Sequence, residues 1–220
     1  MILTTMIKRF GFTLAEVLIV IGIIGVVANM TIPTLINNIQ NQENIIMYKK
    51  VYSGISASVK MVMNEYGQDN INGLLATGTD SEPFVVALKN YLAISKICGA
   101  NATNGICFHS NSNWKHLNNS SIDGSTITHE THDVQGAMLQ NGVLMKWCTH
   151  NCANGSPSCA DFFIDANGFK GPNTVGKDIF AVAITQDNKI LPFGTQGDAY
   201  YGTCTTSSTG YGCSAEVLYK

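Results

Sequence analysis

The side chains able to do chemistry fall into three groups. The first is a single carboxylate, Glu16, set in a run of apolar residues. A charge there is costly to hold, and it is kept where a partner offsets it. Two readings stand: a first-turn acid near the positive end of the helix dipole, or a charge kept for a partner. The second group is Cys148-Thr149-His150-Asn151-Cys152 with Cys159 close behind. Thiols and an imidazole this close together are zinc ligands by type, although the spacing lacks the two tight pairs of a structural zinc site. The third is Asp161, Asp165, Asn167 and Asp178 around a Gly/Pro-rich segment, an oxygen set of the kind calcium takes. With Gly168 at the sixth place of an EF-hand loop, Phe163 falls at the first and Thr174 at the twelfth, so that pattern fails. The simpler reading is a turn whose Asp and Asn side chains bond nearby backbone.

His109, His116, His129, His132 and His150 are the candidates for acid–base work. His129-Glu130-Thr131-His132 is H-x-x-H, not the H-E-x-x-H of a helical zinc site. There is no G-x-S-x-G, P-loop or dinucleotide fingerprint. The expectation is a protein that is not an enzyme, with no cofactor beyond the calcium candidates.

The elements that carry these groups follow from an uneven spread of hydropathy. The chain has 220 residues, of which 45% are hydrophobic and only 13% charged. Neutral polar residues replace the charge: 21 Asn, 15 Ser and 19 Thr. A disordered charged tail is excluded by this balance. The net charge of −2, with no basic block, leaves no electrostatic footprint for nucleic acid. Residues 12–36 hold 17 apolar side chains and one charge, Glu16. As a helix this stretch spans roughly 37 Å, enough for a bilayer core of about 30 Å. It is the only segment of that kind, so a polytopic membrane protein is excluded. Lys8 and Arg9 precede it, which keeps that end in the cytoplasm. Read as a secretory signal, the segment would be cut near Ala28, at the small-residue site Val26-Val27-Ala28, and release a secreted binding module. A metal-dependent enzyme using the Cys/His cluster is the other competing class.

The stretch Gly11-Phe12-Thr13-Leu14-Ala15-Glu16-Val17-Leu18-Ile19-Val20-Ile21 resembles the processing and methylation motif of type IV prepilins and type II secretion pseudopilins. The resemblance implies that a membrane peptidase cuts between Gly11 and Phe12 on the cytoplasmic side and methylates the new amine of Phe12. Glu16, fifth in the cut chain, would then pair with the Phe12 amine of a neighbouring subunit in a filament. The leader 1–11 carries two basic residues, fewer than many family leaders. Also implied is a pilin-like α+β fold, a long N-terminal helix packed on a small antiparallel sheet with disulfide-stapled loops. Its parts would be the leader, a membrane-spanning and filament-core helix over 12–36, an amphipathic continuation over 37–66, and a globular head over 67–220. The implied partners are other filament subunits, the peptidase/methyltransferase, an assembly platform protein with its ATPase, and the membrane. The implied location is the bacterial inner membrane, then a periplasmic or cell-surface filament. Some secretion pseudopilins bind calcium in a loop of the β-region, which keeps Asp165, Asn167 and Asp178 as calcium candidates.

Beyond the anchor, Pro33 is expected to bend or loosen the helix. Ile39, Ile46, Val51, Ile55, Val59, Val62 and Tyr66 mark one broad apolar face, with Lys49, Lys50, Lys60 and Glu65 toward solvent. Gly54 weakens the helix by about 1 kcal/mol relative to Ala, and Gly67 is a stop signal. A second helix is predicted from Ser81 to about Ile97, with Phe84, Leu88, Tyr91 and Leu92 on one face. Residues 98–133 read as irregular. Ala137–Gln140 and Val143–Trp147 read as a hairpin with a two-residue Asn141-Gly142 turn. Ala160–Ile164 and Asp178–Thr185 read as strands, and Ile190–Phe193 extends the last through a turn at Asp187-Asn188. About four strands in an antiparallel meander, packed on the long helix, is the expected assembly.

Seven cysteines are present, at 98, 107, 148, 152, 159, 204 and 213. Outside the cytoplasm disulfides are permitted, and the local pairs are Cys98 with Cys107 and Cys204 with Cys213. The second pair resembles the disulfide-bounded C-terminal region of type IV pilins, in a shorter form. Of the other three, Cys148 with Cys159 is the expected pair, which leaves one thiol over.

Overall fold

A computed structural model of the chain describes residues 11–67, 71, 88–98, 105–110, 113–122, 134–149 and 158–220. The chain divides into two compact units, Met1–Gln40 and Asn41–Lys220. One helix, α1, runs over Leu14–Tyr66 with Pro33 inside it. The helix continues past Pro33, and just before it the Thr31 hydroxyl donates to the Val27 carbonyl at 3.0 Å. In the first unit no residue from 11 to 40 is buried. The helix is long and apolar enough to cross a membrane.

In the second unit α1 buries Asn44, Tyr48, Val51, Gly54, Ile55, Ser58, Val59 and Val62. These recur at steps of three and four, the spacing of one helical stripe. The expected face is corrected at three positions, because Ile39, Ile46 and Tyr66 are exposed. Ile46 stands five residues before Val51, about 140° away around the helix. The helix stops where expected: Gly67 has φ 59°, the left-handed backbone that suits glycine after a last turn.

Six antiparallel strands follow, paired in chain order. They are β1 (Ile94–Ile97), β2 (Val134–Leu139), β3 (Leu144–Thr149), β4 (Ala160–Asp165), β5 (Ile179–Ile184) and β6 (Ile190–Pro192). The sheet is thus wider than the expected four strands. The end of the predicted second helix is also corrected. Residues 88–91 are helical but Ile94–Ile97 is an edge strand, and 81–87 lie outside the described residues. The β2–β3 hairpin has three loop residues rather than two. Gly142 N–H donates to the Leu139 carbonyl and Leu139 N–H to the Val143 carbonyl, both at 2.9 Å. A two-residue type I′ turn needs positive φ at both Asn141 and Gly142, and only Gly142 has it, at 86°.

Both faces of the sheet are covered, which is why β3 is buried at every position. One core joins α1 to Met145, Trp147, Phe162, Ile164, Phe180 and Val182. The other holds Leu144, Phe163, Ile179 and Ala181 under Phe108, Trp114, Ile122 and Tyr211. A short helix, α2 (Cys213–Tyr219), was not expected from the sequence. Its Ser214 ties two elements together. The Ser214 carbonyl accepts from Tyr48 Oη at 3.2 Å, and Ser214 Oγ accepts from Ala181 N–H at 2.8 Å. The layout is α+β: a long apolar-headed helix, an antiparallel sheet, and disulfides Cys98–Cys107 and Cys204–Cys213.

Candidate functional site

The stretch that resembles a processing motif leads into α1. Gly11, Phe12 and Thr13 are non-helical, and the helix starts at Leu14. Phe12 is 88% exposed. Glu16 lies in the first turn, and its carboxylate is not idle. Glu16 Oε2 accepts from Thr13 N–H and from Thr13 Oγ1, each at 2.8 Å. Thr13 Oγ1 in turn accepts from Glu16 N–H at 3.2 Å. This is a reciprocal capping box, in which two of the donors a helix start leaves open are satisfied within one turn. Thr13 is the residue that the motif reading passed over. The pattern T-x-x-E ahead of an apolar run was there to find it.

The calcium candidates do come together, on the loop between β4 and β5. Asp165 and Asp178 are fully buried. Asp178 Oδ1 accepts from Thr174 N–H at 2.6 Å and its Oδ2 from Asn173 N–H at 2.8 Å. Asn167 Nδ2 donates to Asp178 Oδ2 at 3.3 Å and to the Gly171 carbonyl at 3.2 Å. Asn167 N–H donates to Asp165 Oδ1 at 3.2 Å. His109 Nε2 is 2.9 Å from Asp165 Oδ2 and 3.0 Å from the Gly168 carbonyl. Burial pushes the Asp165 carboxyl up to about 6, against the opposing pull of His109. Burial also raises Asp178, while the N–H groups of Thr174 and Asn173 hold it down in part. For His109 burial acts downward, but Asp165 and the Gly168 carbonyl outweigh it and the net shift is upward. Asp178 gives both oxygens to donors of the loop and Asp165 gives Oδ1, while Asp165 Oδ2 faces His109. Asn167 Oδ1 and Asn173 Oδ1 are buried oxygens that receive no hydrogen bond among the described residues. The arrangement fits a self-bonded turn better than a cation cage, and among the described residues no metal-holding group of three or more His, Cys, Asp or Glu side chains is found.

The expected Cys148–Cys159 bridge is not made. Cys159 is disulfide-bonded, while Cys148 is buried and keeps its thiol. The reason lies in the sheet. Cys148 follows Leu144 and Lys146 on one face, opposite Asp161, whereas Cys159 belongs to the core on the α1 side. The same geometry breaks the zinc set, because a bridged Cys159 offers no thiolate. His150 and Cys152 lie outside the described residues, as do His129 and His132. His116 is buried edge-on against Tyr211 at 5.6 Å between ring centroids.

Sequence reasoning also missed Lys146. It is 2% exposed on β3, in the core away from α1. Its Nζ stands 4.2 Å from the Trp114 ring centroid, 5.1 Å from that of Phe163 and 5.4 Å from that of Phe108. No hydrogen-bond acceptor reaches it among the described residues. Burial pushes its amine down to about 7.

Set against known proteins, the chain matches no family model, no curated sequence and no solved structure.

Proposed function

We propose that the protein is a pilin-like filament subunit, made as a precursor and matured by cleavage after Gly11. One observation carries this reading: the Gly11-Phe12-Thr13-Leu14-Ala15-Glu16 motif stands at the head of an unburied apolar helix long enough to cross a bilayer. Hydrolysis of the Gly11–Phe12 bond leaves a carboxylate on Gly11 and an amine on Phe12. A sulfonium-type methyl donor then replaces one N–H of that amine by N–CH₃. The Phe12 amine of one subunit pairs with Glu16 of the next, which offsets the cost of burying either charge alone.

In this reading the α+β head of residues 67–220 is a pilin-like fold, and the chemistry is done by the peptidase/methyltransferase and the assembly ATPase. The protein itself is a structural subunit of a pilus or secretion filament, held first in the inner membrane. Calcium at Asp165, Asn167 and Asp178 is a subordinate proposal, and heat on calcium titration by calorimetry is its test.

N-terminal sequencing of the mature protein decides the main proposal. A chain beginning with methylated Phe12 is expected, and Gly11→Ala or a bulkier residue should abolish that product. A chain beginning at Asn29 would favour signal-peptidase release of a secreted module. Among chains that have been cut, Glu16→Ala should assemble poorly, and filaments at normal levels would remove the pairing role.

A further inference from the structure

We propose that Thr13 is a positioning residue for the cleavage, holding the Gly11–Phe12 bond outside the helix through its hydrogen-bonded ring with Glu16. The inference rests on the processing reading above. A helix start leaves four backbone N–H groups without helical partners. In a bilayer there is no water to take them. Without the cap, the helix would lower that cost by winding backward and carrying its open donors toward water. That path runs through Phe12 and Gly11 and coils the bond to be cut. A peptidase needs its substrate backbone uncoiled, because a helical peptide group has its carbonyl and N–H already engaged.

The ring stops the helix short of this. Thr13 Oγ1 accepts from Glu16 N–H at 3.2 Å and donates to Glu16 Oε2 at 2.8 Å. Glu16 Oε2 also takes Thr13 N–H at 2.8 Å. The first helical bond runs from Val17 N–H to the Thr13 carbonyl at 3.2 Å, and the three residues before Leu14 stay non-helical. Both partners lie C-terminal to the scissile bond, so the ring survives the cut and sets the geometry of the new terminus as well. Glu16 thereby has two separable duties. Its hydrogen-bonding shape closes the ring, and its charge pairs with an amine.

The test uses the full chain in membrane vesicles carrying a type IV prepilin peptidase. Thr13→Val, which removes the hydroxyl at nearly constant size, should be cut about fivefold more slowly, the size of a lost N-cap. Thr13→Ser should be cut at the parent rate. Glu16→Gln keeps the capping box and should also be cut at the parent rate. In detergent micelles, the Phe12 carbon shifts of uncleaved Thr13→Val should move to helical values. Equal rates for Thr13→Val and the parent would overturn the proposal. So would a slow Thr13→Val whose Phe12 stays non-helical, since the hydroxyl would then act on the enzyme directly. A parent chain left uncut after Gly11 would bring down the processing reading itself, and the role of Thr13 with it.

Discussion

Lys146 occupies a place on β3 where an alternating strand would put an apolar side chain. Its amine, near 7 in the folded state, returns to about 10.4 when the chain unfolds. Between those values the unfolded chain holds a proton that the folded chain lacks. Stability therefore rises with pH across that window, by about 1.4 kcal/mol per unit. Asp165 acts the other way. Its carboxyl is raised to about 6 from about 3.9, so the folded chain holds the extra proton and stability falls as pH climbs from about 4 to about 6. His109 is also raised; its contribution is complete in acid and is lost as pH rises through its folded value. The expected outcome is a stability minimum near neutral pH, read by thermal melts of the head from pH 5 to pH 10. Lys146→Met should raise Tm at pH 7 and flatten the alkaline limb, because an apolar isostere removes a buried ion without leaving another unpaired. Parallel alkaline limbs for parent and variant would count against the buried amine. Neither the Lys146 cage nor the His109–Asp165 pair was legible in the sequence, since each is closed by residues far apart in the chain. The Thr13–Glu16 capping box is legible in the sequence because its T-x-x-E spacing is local.

The elements show where local pattern suffices. β4 and β5 were read almost to their ends, because Ala160–Asp165 and Ile179–Ile184 are short apolar runs bounded by turn residues. β1 was hidden, since Ile94 and Ile97 continue the helical spacing of Leu88, Tyr91 and Leu92, and only pairing to β2 decides against helix. α2 was hidden as well: its N-cap, Gly212, makes no side-chain cap bond to announce it. Gly54 was read as a weak point of α1, and its packing gives a different reason for it. An added Cβ would lie 2.2 Å from Leu92 Cδ2 and 2.8 Å from Leu92 Cγ, and Leu92 is itself buried. Gly54→Ala should therefore destabilise the head by about 1–3 kcal/mol, although helix propensity alone favours Ala by about 1 kcal/mol. Denaturant unfolding of the single variant and of Gly54→Ala with Leu92→Ala checks this. Coupling between the two sites is expected, and strictly additive effects would remove the packing explanation.

At the scale of the molecule, the division after Gln40 separates an unburied apolar stretch from a packed head. No residue of α1 before Asn44 is buried, while the head has cores on both faces of its sheet. A chain starting at Asn41 is expected to fold as a water-soluble head with a cooperative melt. A non-cooperative melt would mean that the first unit is needed for folding. The Cys98–Cys107 and Cys204–Cys213 disulfides each close a loop with a sequence separation of 9, worth about 2–3 kcal/mol in the chain-entropy account. Reduction of this soluble head should lower its Tm by several degrees without dissolving the sheet, as followed by far-ultraviolet circular dichroism.

The bond from Tyr48 to Ser214 has a consequence in time. It joins residues 166 positions apart, and the same serine also holds Ala181 on β5. During synthesis the apolar stretch is finished and can lodge in a bilayer while the head still lacks its clasp. For that interval the buried stripe of α1 has no completed sheet to cover it. Closure of the head on α1 therefore waits until Ser214 has been made, long after the residues of the stripe it clasps.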